Sequence, residues 1–458
     1  MPHLNKLRTV RTGGRGGDSA PPSARRLRTA LTVFFALDGF LFAGWVVRIP
    51  AIKHHIGASV SSLGLALLGV SAGAVITMVV TGRLCHRFGS HRVGFWCGIL
   101  LSLSIALPAH AGSALTLGLL LLVFGAAYGG MNVAMNSAAV DLVATIRRPV
   151  LPSFHAAFSF GGMAGAGIGG LAADHLSPVT HLTLLAAAGL LVTAVAGPVM
   201  LRNASAGPAA ASAPAASTGT SASTGTSASS GSSASSGSSA SSGSSASSGS
   251  SAASAGSVPS GPSAPESRGP SPRMSPAVRR VVVLFGVIAL CTAYGEGALA
   301  EWSALHLSQD LHAGASTAAA GYSLFALAMG VGRLTGTALL ERFGQTRTLV
   351  FGGAAAAAGM LLGSLAPTIP LALAGFAVTG LGLANIFPVA VGRAGTLAGP
   401  GGVAAASTLG YGGMLVGPPV IGFLADWLSL PMALTTVALL AAAAAVLGHV
   451  SRTAPPHV

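Results

Sequence analysis

Twelve long apolar stretches constrain this chain more than any other feature. A helix needs about 20 mostly apolar residues to cross a bilayer, and each stretch is about that long. Hydrophobic residues make up 51% of the 458 residues and charged residues only 7%, whereas soluble domains are about 25% charged. The sequence therefore predicts an all-α, polytopic membrane protein with twelve transmembrane helices. The predicted spans are residues 28–48, 59–82, 92–110, 113–141, 153–174, 179–201, 279–303, 315–340, 347–366, 369–394, 401–425 and 430–450.

The distribution of basic residues predicts the orientation of these spans. Cytoplasmic loops of membrane proteins carry an excess of Lys and Arg. If the N-terminus is cytoplasmic, only Arg48 and Lys53 lie outside among the bases of this chain, and Arg333 lies within a span. We therefore expect an inner-membrane protein with both termini in the cytoplasm. The first apolar stretch is too long for a signal peptide and predicts an uncleaved helix.

Two segments are too polar to enter the membrane. Residues 1–26 form a basic, Gly-rich tail. Residues 203–276 consist almost entirely of Ser, Ala, Gly, Thr and Pro, and residues 217–252 within them repeat one hexamer, first as STGTSA and then as SSGSSA. Neither segment offers an apolar face that could offset its ordering entropy. We expect both to be disordered, the second as a flexible cytoplasmic linker, with a glycosylated or partner-binding stalk as the alternative.

The linker separates two six-span halves, residues 27–202 and 277–451, with a short tail at 452–458. Four pairs of short segments recur in the same order at a nearly constant offset. Repeated bundles of this kind are typical of transporters that expose a midplane site alternately to each side. The matched pairs are 86–89 with 341–344, Asn132 with Asn385, 160–163 with 411–414, and 170–174 with 422–426.

The segment GRLCHRFGSHR at 82–92 resembles the G-x-x-x-D-R-x-G-x-R-R loop of the major facilitator superfamily, with His86 and His91 as departures. Three further segments resemble its fucose-permease-like branch and poorly characterised bacterial inner-membrane relatives: GGMNVAMN at 129–136, SFHAAFS at 153–159 and NIFP at 385–388. This resemblance implies the major facilitator fold and proton-coupled uptake of sugars or similar polar solutes. In sugar symporters of that branch a Glu precedes the fourth-span Asn by one turn, whereas here Asn132 takes that position before Asn136.

Ionisable groups inside a membrane are costly and are candidates for function. A proton carrier there must be a carboxyl or His whose pKa lies near neutrality. Asp38 lies about 15 Å into the first span, and Glu296 lies between two glycines of the seventh span, where transporter helices often break. We predict Asp38 as the main proton-coupling site and Glu296 as the second candidate or a solute ligand. A carboxyl of this kind can instead cap or brace helices.

Other polar residues are candidates for solute contact or for gating. Asn132, Asn136, Asn385, Trp45 and Glu301 can bind a polar solute, although amides also bridge helices, and Trp45 and the Glu301–Trp302 pair can instead anchor at the interface. His155 opens the fifth span, where it can relay protons or cap the helix. Asp174 and Asp426 end spans and are predicted to cap helices or form gate contacts. The predicted gating or structural residues are His86, Arg87, Gly89, Arg92, Asp141 with Arg147 and Arg148, His155, Arg333, which can pair with an acid, and Arg342.

The sequence contains no HExxH or Walker P-loop motif, so we expect no enzyme, metal site or cofactor. The predicted partners are a small solute, protons and lipid, without nucleic acid, and the protein is expected to be a monomer. Proton symport of a polar solute is the first prediction, since it favours a cavity lined by Asn, Asp and Glu. Proton-antiport efflux favours an aromatic-rich cavity, and aromatics are only 5% of the chain. A non-transporting sensor on the same scaffold is the remaining alternative.

Overall fold

A computed structural model of the chain describes residues 22–146, 150–204 and 275–451, and these residues form helices without a strand. One short 3-10 helix, Leu107–His110, follows the third span. The N-terminal bundle comprises α1 (Pro22–Val46), α2 (Ile49–His55), α3 (Val60–Phe88), α4 (Ser90–Ser104), α5 (Ala114–Ile146), α6 (Leu151–Ala173) and α7 (Pro178–Ala204). The C-terminal bundle comprises α8 (Pro276–Gln309), α9 (Ala315–Leu365), α10 (Ile369–Leu383), α11 (Ile386–Trp427) and α12 (Leu430–Val450).

The described residues contain 11 helices that are long and apolar enough to cross a membrane, one fewer than the predicted spans. The difference lies in α9, which has 51 residues. A straight helix of that length would measure about 75 Å, more than twice the hydrocarbon thickness of a bilayer. Gly336 and Gly352 nevertheless both pack against the segment 382–386, so the chain folds back between them. The helix therefore contains the eighth and ninth predicted spans, and the break lies at Gly344, whose backbone is not helical.

Two other boundaries differ from the predicted ones. The first helix begins at Pro22, so residues 22–26 continue the first span instead of belonging to the tail. The tenth predicted span is divided between α10 and the start of α11, which then bends at Ala398 and Gly399 before the eleventh span. The predicted disorder of residues 1–21 and 205–274 falls outside the described part of the chain, and so does the short C-terminal tail at 452–458.

Each bundle contains the same type of turn at the repeated loop motif. Gly89 separates α3 from α4 with φ 88°, and Gly344 breaks α9 with φ 76°. A side chain added at either glycine would meet nothing within 4 Å. The positive φ, which side chains strongly disfavour, is therefore the reason for glycine at both positions. The sequence match between 86–89 and 341–344 corresponds to a match in backbone conformation.

The bundles contact each other along α3 with α11 and α6 with α9. We call the end of the molecule formed by residues 56–59, 174–177, 310–314 and 428–429 the distal face, and the opposite end, where α1 begins, the terminal face. Four of the hydrogen bonds that join the bundles within the described residues run from the distal face to the middle of the helices. They are Ser61 N to Asp426 Oδ2 (3.0 Å), Ser323 Oγ to the Met163 carbonyl (3.0 Å), Ser71 Oγ to the Met414 carbonyl (3.1 Å) and Arg333 Nη1 to Ser159 Oγ (2.9 Å). The bundles are thus closed against each other at the distal face.

Candidate functional site

A cavity lies between the two bundles at the level of Arg333. Its volume is about 60 Å³, and it is partly open to solvent. Side chains of α1, α5, α6, α8, α9 and α11 form its wall, so both bundles contribute. The lining residues are Phe42, Tyr128, Phe158, Ser159, Glu296, Gly297, Ala300, Tyr322, Phe325, Ala326, Met329, Arg333 and Met414.

Arg333 connects three elements around this cavity. Its Nη2 donates to Glu296 Oε2 on α8 at 3.1 Å, and its Nη1 donates to Ser159 Oγ on α6 at 2.9 Å. The Ser159 hydroxyl in turn donates to the His155 carbonyl at 3.2 Å. Arg333 is 17% exposed and Glu296 is 27% exposed, so the pair is shielded from water only in part and stays within reach of a solute. One side chain therefore links a carboxylate of the C-terminal bundle to a hydroxyl of the N-terminal bundle.

Aromatic rings dominate the rest of the wall. Phe42 stacks on Tyr128 with ring centroids 5.0 Å apart and meets Tyr322 edge-on at 6.4 Å. Phe325 packs beside Tyr322 at 6.0 Å. The aromatic content of the whole chain, only 5%, does not predict these residues, because the rings are concentrated locally. A local signal was present: Tyr322, Phe325, Met329 and Arg333 recur at helical spacing on one face of α9.

Glu296 lies at the cavity, and Asp38 lies behind its wall. The seventh span does not break at Glu296, since α8 continues through both neighbouring glycines. Asp38 is 2% exposed, and its Oδ1 has no hydrogen-bond partner among the described residues. Tyr128, which lines the cavity, is within electrostatic range of both carboxyls. The two predicted proton-coupling residues therefore lie near the same tyrosine.

The amides that were candidates for solute contact bind protein groups instead. Asn136 Nδ2 donates to the Asn132 side-chain oxygen at 3.1 Å and to its carbonyl at 2.9 Å. Asn385 Nδ2 donates to the Gly332 carbonyl at 2.8 Å and lines a second cavity between α9, α10 and the start of α11. None of the three is among the described residues that line the central cavity. The expected wall of Asn side chains is therefore absent there.

Trp45, Glu301 and Trp302 lie in the interior of the protein. The sequence also allowed all three to lie at the membrane–water interface. Both tryptophans are fully buried and Glu301 is nearly so. The two indole Nε1 atoms and Glu301 Oε2 have no hydrogen-bond partner within the described part of the chain. Interface anchoring is therefore wrong for these side chains, because neighbouring helices cover them.

Most of the predicted gating residues lie at the terminal face, whereas His155 and Arg333 lie within the bundles. His86, Arg87, Arg92, Asp141 and Arg342 are exposed at the terminal face, and Arg147 and Arg148 lie outside the described residues. Arg87 and Arg342 each lie over the next ring in sequence, Phe88 at 5.3 Å and Phe343 at 5.8 Å.

His155 lies one turn inside α6 and does not cap it. The N-cap position of α6 is Val150, which makes no side-chain cap bond. The imidazole ring packs edge-on against Phe35 at 5.7 Å. Among the described residues, no three His, Cys, Asp or Glu side chains are placed to share a metal ion.

Comparison with known proteins gives one consistent result. The sequence matches the family model of the Major Facilitator Superfamily over residues 29–296 and 284–458. It is similar to an uncharacterised transporter, y4wD, of Sinorhizobium fredii, with 31% identity over 93% of this chain and 99% of that protein. Membrane protein MosC of Rhizobium meliloti is 27% identical over 94% of this chain and 92% of that protein.

Solved structures share the fold at low sequence identity. The nucleoside transporter NupG superposes with a TM-score of 0.61 at 13% identity, covering 94% of this chain and all of that one. A bacterial homologue of the human lysosomal transporter Spinster, in an inward-facing and unoccupied conformation, gives a TM-score of 0.64 at 14% identity, covering 94% of this chain and 98% of that one.

Proposed function

The chain belongs to the major facilitator superfamily and is a membrane transporter; from this premise we propose that it carries a small, polar, ring-shaped solute by alternating access coupled to protons. The observation that carries the proposal is the cavity between the bundles, where Arg333 bridges Glu296 and Ser159. The aromatic faces of Phe42 and Tyr322 suit the apolar face of a ring. The ion pair and the serine hydroxyl offer hydrogen bonds to its polar edge.

The contacts between the bundles support a cycle of opening and closing. These four hydrogen bonds between the described parts of the bundles lie between the distal face and Arg333. The solute would enter from the terminal face, which we propose is cytoplasmic, with the protein in the inner membrane. Opening toward the distal face requires α3 to leave α11 and α6 to leave α9. The Arg333–Ser159 bond is the innermost of the contacts that must break.

Asp38 is the proposed proton site. Burying an ionised carboxyl without a partner is expensive, and binding a proton removes that cost. Glu296 already has Arg333 as a counter-ion, which favours a role as solute ligand. Glu301 is buried without a partner for Oε2, and it becomes the alternative proton site in the C-terminal bundle. The likeness to the fucose-permease-like branch remains a prediction.

Reconstituted protein tests this assignment. Asp38→Asn mimics the protonated carboxyl, so solute exchange should persist while accumulation driven by a pH gradient is lost. The measurement is solute uptake into proteoliposomes with and without an imposed gradient, beside counterflow exchange. Glu341→Gln, a change at an exposed position on the terminal face, is the control and should accumulate solute like the parent. If Asp38→Asn accumulates solute as well as the parent does, the proton site lies elsewhere.

Proton-antiport efflux is the second candidate, and the aromatic wall is the observation that favours it. An exporter would accumulate solute in proteoliposomes only when the gradient has the opposite direction. The same assay with reversed gradients therefore distinguishes uptake from efflux.

A further inference from the structure

We propose that the solute carries a positive charge, as a protonated or quaternary amine, and that this amine replaces Arg333 as the partner of Glu296. The inference rests on the proposed function, because it names the chemistry of the solute that the same cavity would hold. Its basis is the placement of one carboxylate, one competing guanidinium and a set of aromatic faces around a single cavity.

Glu296 is placed to exchange its partner. Its carboxylate receives one hydrogen bond from Arg333 Nη2, at 3.1 Å, and the side chain remains partly exposed at the cavity wall. Arg333 has a second acceptor in Ser159 Oγ, at 2.9 Å. If an amine takes its place on Glu296, the guanidinium keeps a hydrogen-bond partner. The exchange therefore replaces one charge-assisted hydrogen bond at Glu296 with another and leaves Arg333 with a neutral hydroxyl as its partner.

The aromatic wall selects the sign of the charge. The face of an aromatic ring is the negative part of its quadrupole, so it attracts cations and repels anions. Phe42, Tyr128 and Tyr322 line the cavity, so a solute bound there lies beside their rings. An anionic solute would instead pair with Arg333, leave Glu296 without a counter-ion and place two negative charges among these rings.

The other ionisable groups around the cavity also favour a positively charged solute. Arg333 is the one base among the described lining residues, and His155 lies within electrostatic range of it. Asp38 does not line the cavity, but it is within electrostatic range of Tyr128. The carboxyls therefore outnumber the fixed cation, so a bound amine brings the site closer to neutrality whenever Asp38 is ionised.

Partner exchange would also connect binding to movement. The bond from Arg333 to Ser159 is the innermost of the hydrogen bonds that join the described parts of the bundles. When the amine releases Arg333 from Glu296, this bond loses the carboxylate that orients the guanidinium. Binding in the C-terminal bundle would thus weaken a contact to the N-terminal bundle.

Three probes with the same ring test the charge directly: cyclohexylamine, cyclohexanol and cyclohexanecarboxylate. Near neutral pH they are positive, neutral and negative. Binding to the purified full-length protein is measured by calorimetry. We expect the amine to bind at least about 10-fold more tightly than the alcohol, as hydrogen bonds to charged groups allow, and the carboxylate to bind most weakly. Equal affinities, a preference for the carboxylate, or no binding by any probe would overturn the proposal.

Variants of the pair identify the competing groups. Glu296→Gln should remove the preference for the amine over the alcohol. Arg333→Met should increase amine affinity several-fold, because the guanidinium no longer competes, whereas Arg333→Lys keeps a competing charge and should bind the amine nearly as the parent does. Thermal unfolding of each variant shows whether it is folded. An amine affinity that falls in folded Arg333→Met and is retained in Arg333→Lys would show that the base holds the solute, contrary to the proposal.

A second measurement separates this inference from the proposed function. Ala300, which lines the cavity, is changed to Cys, and the rate at which a membrane-impermeant maleimide labels it from the distal side is measured with and without each probe. If the carboxylate or the alcohol binds best and changes distal labelling, the charge assignment fails and alternating access stands. If the best-binding probe leaves distal labelling unchanged, the proposed transport cycle fails while the charge preference still holds.

Discussion

Gly64→Ala is a test of how the bundles close at the distal face. Gly64 on α3 packs directly against α11 of the other bundle. A Cβ at this position would lie 2.6 Å from the Pro418 carbonyl oxygen and 3.1 Å from the Gly422 Cα. Both neighbours are backbone atoms, so no side-chain rotation can relieve the overlap. The helices would have to move apart by several tenths of an ångström.

The cost of this overlap falls on one conformation only. Overpacking of this kind costs about 1–3 kcal/mol, and it applies when α3 and α11 are in contact. The gain in helix propensity from Gly to Ala, about 0.5–1 kcal/mol, applies whether or not they are in contact and cancels in the comparison. The equilibrium should therefore shift toward the distal-open state by about 5- to 150-fold.

A single cysteine in the cavity wall reports this shift. The three native cysteines, Cys85, Cys97 and Cys291, are replaced by Ala, and Ala300, which lines the cavity, is changed to Cys. A membrane-impermeant maleimide is applied to the distal side, which the proposed orientation places outside the cell. Labelling should be slow in the parent and several-fold faster with Gly64→Ala.

Gly412→Ala is the matched control. It makes the same chemical change within α11, but nothing lies within 4 Å of the added Cβ. Its labelling rate should equal that of the parent. If Gly64→Ala and Gly412→Ala label at the same rate, the close contact between α3 and α11 does not limit distal opening, and the reasoning is refuted.

Two further predictions concern the same face. Asp426→Ala removes the acceptor for Ser61 N at the start of α3 and should accelerate labelling at position 300, but less than Gly64→Ala does, because the lost bond is exposed to water; a rate equal to the parent would show that this bond does not hold the gate. Reporter fusions should score periplasmic near Lys53 and cytoplasmic after Arg92 and within the linker. A reversed pattern would contradict the orientation predicted from the basic residues.

The sequence determined which segments cross the membrane. Removing a segment of about 20 apolar residues from water is favourable whatever its neighbours are, so depth follows from the local sequence. The position of Asp38 midway along an apolar span follows in the same way, whereas its burial depends on the neighbouring helices. The loop glycines also follow from a local cause, since Gly89 and Gly344 adopt a backbone conformation that other residues disfavour.

Only the tertiary structure decided which direction each polar side chain faces. Glu296 and Asn385 are both polar residues within apolar segments, yet Glu296 lines the central cavity and Asn385 binds the Gly332 carbonyl. Trp302 is in the outer part of its span, but other helices cover it completely. Hydropathy predicts depth because the bilayer is the same on all sides of a helix. The rotation of the helix about its axis is set by packing against helices distant in sequence, as Arg333 shows by meeting Ser159, 174 residues away.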